Sequence, residues 1–224
     1  MTFSDLKTML QQDFNRSDKE TVWYPIWINR ALRKIQTDSS FSFMKVRSDL
    51  TISAGNSSVA MPARFKELTA EQSPVTIVDP SLSGPLAEVP CEVTSREKMI
   101  GYRASTFVPS RPANVRGRLS GLPVFVEPSS SGWTLNILDQ AAENLNFRVS
   151  HFEFTADLVN PTDTNYLTVN YPDLVENKIK AIAFQSVNDP VAVQFEIAAS
   201  KLLAEAVLDD QRRGTRGRVL RMGG

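Results

Sequence analysis

Apolar residues recur at helical spacing toward both ends of the chain and gather into short, broken runs between them. Phe3, Leu6, Leu10 and Phe14 stand three and four apart, which predicts a short helix capped by Thr2 or Ser4. After a polar break at 15–19, a second helix is expected over 21–37. Trp23, Trp27, Ala31 and Ile35 form its stripe, and Ile28 and Leu32 widen it. Pro25 fits only in the first turn, where its missing N–H costs nothing, so this helix should start near Val22 or Tyr24. In the last third, Asp173 after Pro172 reads as the cap of a helix in which Val175, Ile179, Ile182 and Ser186 share a face. The most regular element follows, with Asp189 at the N-cap and Pro190 at the first helical position. Val191, Phe195, Ala198, Ala199, Leu202, Leu203, Ala206 and Val207 then recur at helical spacing to Leu208. It is expected to be the central helix of a bundle, its alanines admitting close neighbours.

From about 41 to 159 serine, proline and glycine become frequent and the pattern turns to strands. Alternation over 46–52, the turn Ala54-Gly55-Asn56 and a return over 58–61 predict a hairpin ending at Pro62. Further strands are expected at 64–68, 75–78, 124–127, 133–138 and 145–154, with 128–132 as the turn of a second hairpin, and one short helix at 95–102. The stretch 109–121, carrying Pro109, Arg111, Pro112, Arg116, Gly117, Arg118 and Gly121, has no periodicity and should be an exposed contact loop. The fold class expected is therefore α+β. The N- and C-terminal helices (1–40 and 165–212) form an antiparallel bundle, a β-rich domain with long loops is inserted at 41–164, and 213–224 is an extended, flexible C-terminal arm.

Composition changes this picture little. With 224 residues and 42% apolar content, the chain can bury a normal core in one large or two small domains. Lys plus Arg and Asp plus Glu both number 25, so the overall field gives no reason to expect a nucleic-acid or membrane-surface partner for the body. The single Cys91 cannot close an internal disulfide, which fits a reducing cytosol. No apolar run approaches the roughly 20 residues of a membrane span, and the first residues lack a signal-peptide layout, so neither membrane insertion nor export by that route is expected.

Catalytic chemistry finds few candidates. Serine or cysteine nucleophiles normally need a histidine base, and His151, the only one, falls in an expected strand with no nucleophile elbow; it reads as a half-buried residue paired to a neighbour or to water. Cys91 reads as a small hydrophobe. One His and one Cys cannot build a structural zinc site. Asp157, Asp163 and Asp173 have ordinary explanations as loop and cap residues, although a calcium site is the alternative. The segment 117–123 lacks the lysine and following helix of a phosphate loop. Trp23, Tyr24 and Trp27 suit core packing better than an aromatic ligand platform. No catalytic residue, cofactor or metal is expected. Asp209-Asp210 at a helix end would oppose the macrodipole, and a salt bridge to Arg212 or Arg213 would explain the pair.

The local charge anomaly is 211–224, where five arginines are interleaved with glycines and no acid. Alone it cannot bury enough surface to fold. It is either a solvated terminus or a docking arm, in which Arg212, Arg213, Arg216, Arg218 and Arg221 recognise carboxylates or phosphates and Val219 and Leu220 anchor apolar contacts.

Taken in order, these features resemble the head-to-tail adaptor proteins of tailed bacteriophages, including the tail-tubular type. Residues 27–35 look like the family's first long helix, 58–68 like its strand, proline and following segment, 123–154 like the paired strands of its β domain, and 171–175 with 198–210 like its last two helices. The resemblance implies a non-enzymatic virion protein of the neck and tail, assembled in the host cytoplasm, forming a ring of about a dozen copies of itself. It would bind the portal protein through the arm and the tail nozzle or next connector on the other side. Genomic DNA would pass through its lumen without specific binding, since a strongly basic lumen would grip phosphates during ejection. Competing expectations are a carbohydrate- or receptor-binding β module of a tail or adhesin, a carboxylate-only enzyme of glycosidase type, and a nucleic-acid binder working through the arginines.

Overall fold

In the computed structural model, described for residues 1–14, 22–78, 88–98 and 122–219 with side chains of the last helix through Arg213, the chain is α+β. It divides into two compact units, Met1–Met44 with Phe154–Gly224, and Lys45–Glu153.

The first unit is helical. Helix α1 (Phe3–Phe14) buries Phe3, Leu6 and Leu10. Thr2 caps it: the Asp5 N–H donates to Thr2 Oγ1 (3.2 Å) while Asp5 Oδ2 accepts from the Thr2 N–H (2.7 Å). Two more of its unpaired donors, the Phe3 and Ser4 N–H groups, reach the carbonyls of Asp163 and Pro161. Helix α2 (Trp23–Asp38) holds Pro25 in its first turn, as the spacing predicted, and buries Tyr24, Trp27, Ile28, Ala31, Leu32, Ile35 and Gln36. Trp23 departs from its expected place on the stripe and is 43% exposed. Gln36 exchanges two hydrogen bonds with Thr155 (2.9 and 2.7 Å), and Asn29 holds Leu158 in the same way (3.0 and 2.8 Å).

Helices α3 (Tyr166–Asn170) and α4 (Pro172–Ser186) follow. Asp173 is not the cap of α4. Tyr171 holds that position without a side-chain bond, and Asp173 sits in the first turn. Two residues past the end of α4, Asn188 adopts a φ of 57°, tolerable for a short polar side chain, and the Asp189 N–H returns to the Phe184 carbonyl. Helix α5 (Ala192–Val219) starts two residues later than the expected Pro190, although the Asp189 carboxylate still accepts from the Val191 N–H.

The expectation that α5 is central is corrected. Helix α4 packs against both α2 and α5 and buries Leu174, Val175, Lys178, Ile179, Ala181, Ile182 and Ala183. Among the described side chains of α5, Ala199, Ala206 and Asp210 are the buried ones. The extended arm is corrected as well, because the helix runs through Arg212, Arg213, Arg216 and Arg218 to Val219, while Leu220 and Arg221 lie outside the described residues. Gly214 and Gly217 each cost about 1 kcal/mol in a helix, so the stretch alone would not fold. Continuing a helix already anchored upstream avoids the costly nucleation step, and cations near a helix C-terminus suit the macrodipole.

The second unit is built of nine described strands in two sheets. β9 (Leu145–Glu153) pairs antiparallel with β1 (Lys45–Ile52) along one edge, and on the other with β4 (Val75–Val78) and then β3 (Phe65–Leu68). β5 (Glu88–Pro90) extends β4. The second sheet runs β2 (Ser58–Ala60), β8 (Gly132–Ile137), β7 (Pro123–Ser129) and a parallel β6 (Glu92–Val93). The expected hairpin over 46–61 is thus overturned. The chain does turn at Gly55 (φ 85°), yet β1 joins β9 and β2 joins β8 in the other sheet. The β7–β8 hairpin stands with Ser129 opposite Gly132.

The sheets share a core that includes Ile52, Phe65, Val75, Ile77, Val124, Leu135, Phe147 and Val149. Arg148 crosses three strands, bonding Asp49 (2.8 Å) and Glu88 (2.8 Å). Residues 96–98 are helical, and the rest of the expected helix at 95–102 and the loop at 109–121 lie outside the described residues.

Candidate functional site

The two residues most suited to catalysis serve packing instead. His151 is fully rather than half buried, with Nδ1 3.2 Å from the Val149 carbonyl, Nε2 3.1 Å from Glu153 Oε1, and its ring against Phe65. Cys91 lies in the core where the chain passes from β5 to β6, and burial pushes its thiol up to about 12, so it stays a thiol near neutral pH. Asp157, Asp163 and Asp173 are not brought together. Asp157 pairs with Arg33 (3.4 Å), Asp163 accepts from the Val159 and Asn160 N–H groups (both 2.8 Å), and Asp173 lines a separate cleft.

The arginine-rich end of α5 is held by a cluster that sequence reasoning missed. Asp210, 7% exposed, accepts from both the N–H (2.7 Å) and the hydroxyl (2.6 Å) of Ser42, in the 3-10 turn Ser42–Met44. One residue earlier, Asp209 accepts from the Tyr171 hydroxyl (3.1 Å) and pairs with Arg213 (2.9 Å), the partner expected for it. Desolvation, then the bond to Asp209, pushes the Tyr171 phenol up to about 12. Arg213 also donates to the Tyr166 hydroxyl (3.4 Å), and Tyr166 stacks on Phe43 with ring centres 4.3 Å apart. Carboxylates three to four residues before the arginines, and aromatics with no place in the helical stripes, were the available signals. Of the expected docking residues, Arg212 and Arg213 are exposed on α5, and Arg216, Arg218 and Val219 continue its backbone.

Two hollows flank α5. A groove of about 960 Å³ between α2, α4 and α5 is lined by Arg30, Lys178, Ile182, Val193, Glu196 and Ile197 among others. Lys178, 6% exposed, donates to Glu196 there at 2.5 Å. A smaller cleft of about 250 Å³ is lined by Tyr171, Asp173, Leu202, Glu205, Ala206 and Asp209. Both mix apolar and charged groups in their lining.

A family model described as SU10 adaptor protein matches residues 1–222, almost the full chain. The chain belongs to the SU10 adaptor protein family. No curated protein matches it. As a member of this family it is a phage adaptor, consistent with the head-to-tail resemblance, and a structural component of the virion that associates with other phage head or tail proteins. The SU10 adaptor family is a structural one rather than an enzyme class. Among the described residues, no helix of the adaptor is long and apolar enough to cross a membrane.

Proposed function

We propose that this adaptor forms a ring of about a dozen copies under the portal, joins the portal to the tail nozzle or next connector, and surrounds the channel through which DNA leaves. The N- and C-terminal helices act in it as one antiparallel bundle and the β-rich segment as an inserted domain. Arg212, Arg213, Arg216, Arg218, Val219, Leu220 and Arg221 make the portal contact. The observation that carries this reading is the single helix α5, tied to its own unit at Asp209, Asp210 and Arg213 and continuing for six residues beyond the last of these ties. A helix anchored in this way presents its final turns at low entropic cost, and arginine forks recognise carboxylates through paired hydrogen bonds.

Deleting 214–224 removes that projection while sparing every tie described above. The truncated chain is expected to keep its far-ultraviolet circular dichroism and melting temperature and to lose binding to the portal of the same phage. Unimpaired portal binding refutes the assignment of the contact. Electron microscopy of the full chain with the portal tests the ring itself.

A further inference from the structure

Helix α5 is apolar on two sides. Toward α4 it carries Phe195, Ala199, Leu202 and Ala206. On another side Val193, Ile197 and Leu208 are 62%, 66% and 53% exposed. A surface helix needs only one apolar stripe, so the second marks a face meant to be covered. Val193 and Ile197 open into the larger groove, whose rim on α2 carries Arg30. Arg33 and Lys34 beside it have acid partners, Asp157 and Asp38, whereas Arg30 has none among the described residues.

The smaller cleft lies on the reverse of the same helix. At 100° per residue, Leu202, Glu205, Ala206 and Asp209 sit roughly 180° around α5 from Val193, Glu196, Ile197 and Ser200. Asp209 is already matched by Arg213, but Asp173 and Glu205 form no salt bridge among the described residues. One unit therefore presents an apolar groove with an unmatched cation on one side and an apolar-rimmed cleft with two unmatched carboxylates on the other.

We infer that the occupant of the groove is a second copy of this chain, whose acidic cleft side, centred on Asp173 and Glu205, packs against Arg30, Val193 and Ile197. Contact between two different faces of identical chains is head-to-tail, and repeated with rotation it closes a ring. A two-fold contact of groove on groove would instead leave Asp173 and Glu205 without a cation, since neither lines the groove. This inference rests on the ring reading and assigns its subunit contact.

The test uses full-length variants: R30E/I197D, which spoils the groove, and D173K/E205K, which spoils the cleft side. Circular dichroism and melting confirm folding, and I197S and E205Q replace any variant that fails to fold. Native mass spectrometry is run alone and with the portal. Each variant alone is expected to lose the self-association of the wild type. Their equimolar mixture, which retains one intact pair of faces, is expected to give a one-to-one dimer. If the wild type assembles while the mixture stays monomeric, or while either variant assembles normally, the contact assignment falls and the ring stands. If the wild type shows no self-association alone or on the portal, the ring reading falls. Loss of portal binding by the groove variant would then identify the portal as the occupant and overturn the inference.

Discussion

Replacing Asp210 by alanine should loosen the helical unit by about 2 kcal/mol. Its carboxylate is 7% exposed and accepts two short hydrogen bonds from Ser42, at 2.7 Å from the N–H and 2.6 Å from the hydroxyl. Hydrogen bonds to a charged group contribute about 1.5–3 kcal/mol each. Ser42 is itself exposed, so water can take over part of both bonds, and removing a nearly buried carboxylate returns some of its desolvation cost. Those offsets bring the sum of two bonds down to about 2 kcal/mol.

Asp210→Asn keeps one acceptor oxygen and should cost about half as much, while Ser42→Ala, which removes only the hydroxyl, should cost about 0.5–1 kcal/mol. The assay is urea unfolding followed by tryptophan fluorescence in a Trp133→Phe background. Trp23 and Trp27 both stand on α2 and Trp133 on β8, so the remaining signal reports the helical unit alone. Dilute protein keeps subunit contacts from adding to the measured stability. The double mutant should fall short of additivity by about 1 kcal/mol, since both singles remove the same bond. If Asp210→Ala unfolds within about 0.5 kcal/mol of its parent, the clasp does not hold α5, and the account of why the arginine-rich segment is helical fails with it.

Two further outcomes follow from charged groups of the same unit. Glu196→Ala leaves the 6% exposed Lys178 ammonium without its partner and should lower stability by about 1–2 kcal/mol, whereas Lys178→Met, leaving a half-exposed carboxylate in water, should be close to neutral; equal costs in urea unfolding would contradict this. The Val159 and then the Asn160 N–H groups hold the Asp163 carboxyl below its usual 3.8, so its contribution is present in full above that value and is lost as pH falls through the lower folded value. Wild type and Asp163→Asn should accordingly differ in melting temperature at neutral pH and converge in strong acid, and a gap unchanged by pH would refute the assignment.

Much of the local structure was legible because its cause is local. The three- and four-residue spacings in α1, α2 and α4, Pro25 in a first turn, and the β7–β8 turn at 130–131 each depend on neighbours within one or two turns of the chain. The expectation for α5 failed in an instructive way. Alanines and large apolar residues at helical spacing predict a central helix, but Val193 and Ile197 make the helix apolar on a second side, and α4 is the helix packed on both sides.

What the chain's own order of residues determined is therefore where helices and strands form, since backbone propensity and side-chain period act over a few residues. The tertiary structure alone decided that β1 and β2, joined by a tight turn, enter different sheets, that Asp210 meets Ser42 across 168 positions of sequence, and that Arg30 of α2 rims the hollow on one side of α5 while Asp173 of α4 and Glu205 line the cleft on the other. These depend on which distant residues become neighbours, and no local period encodes that choice.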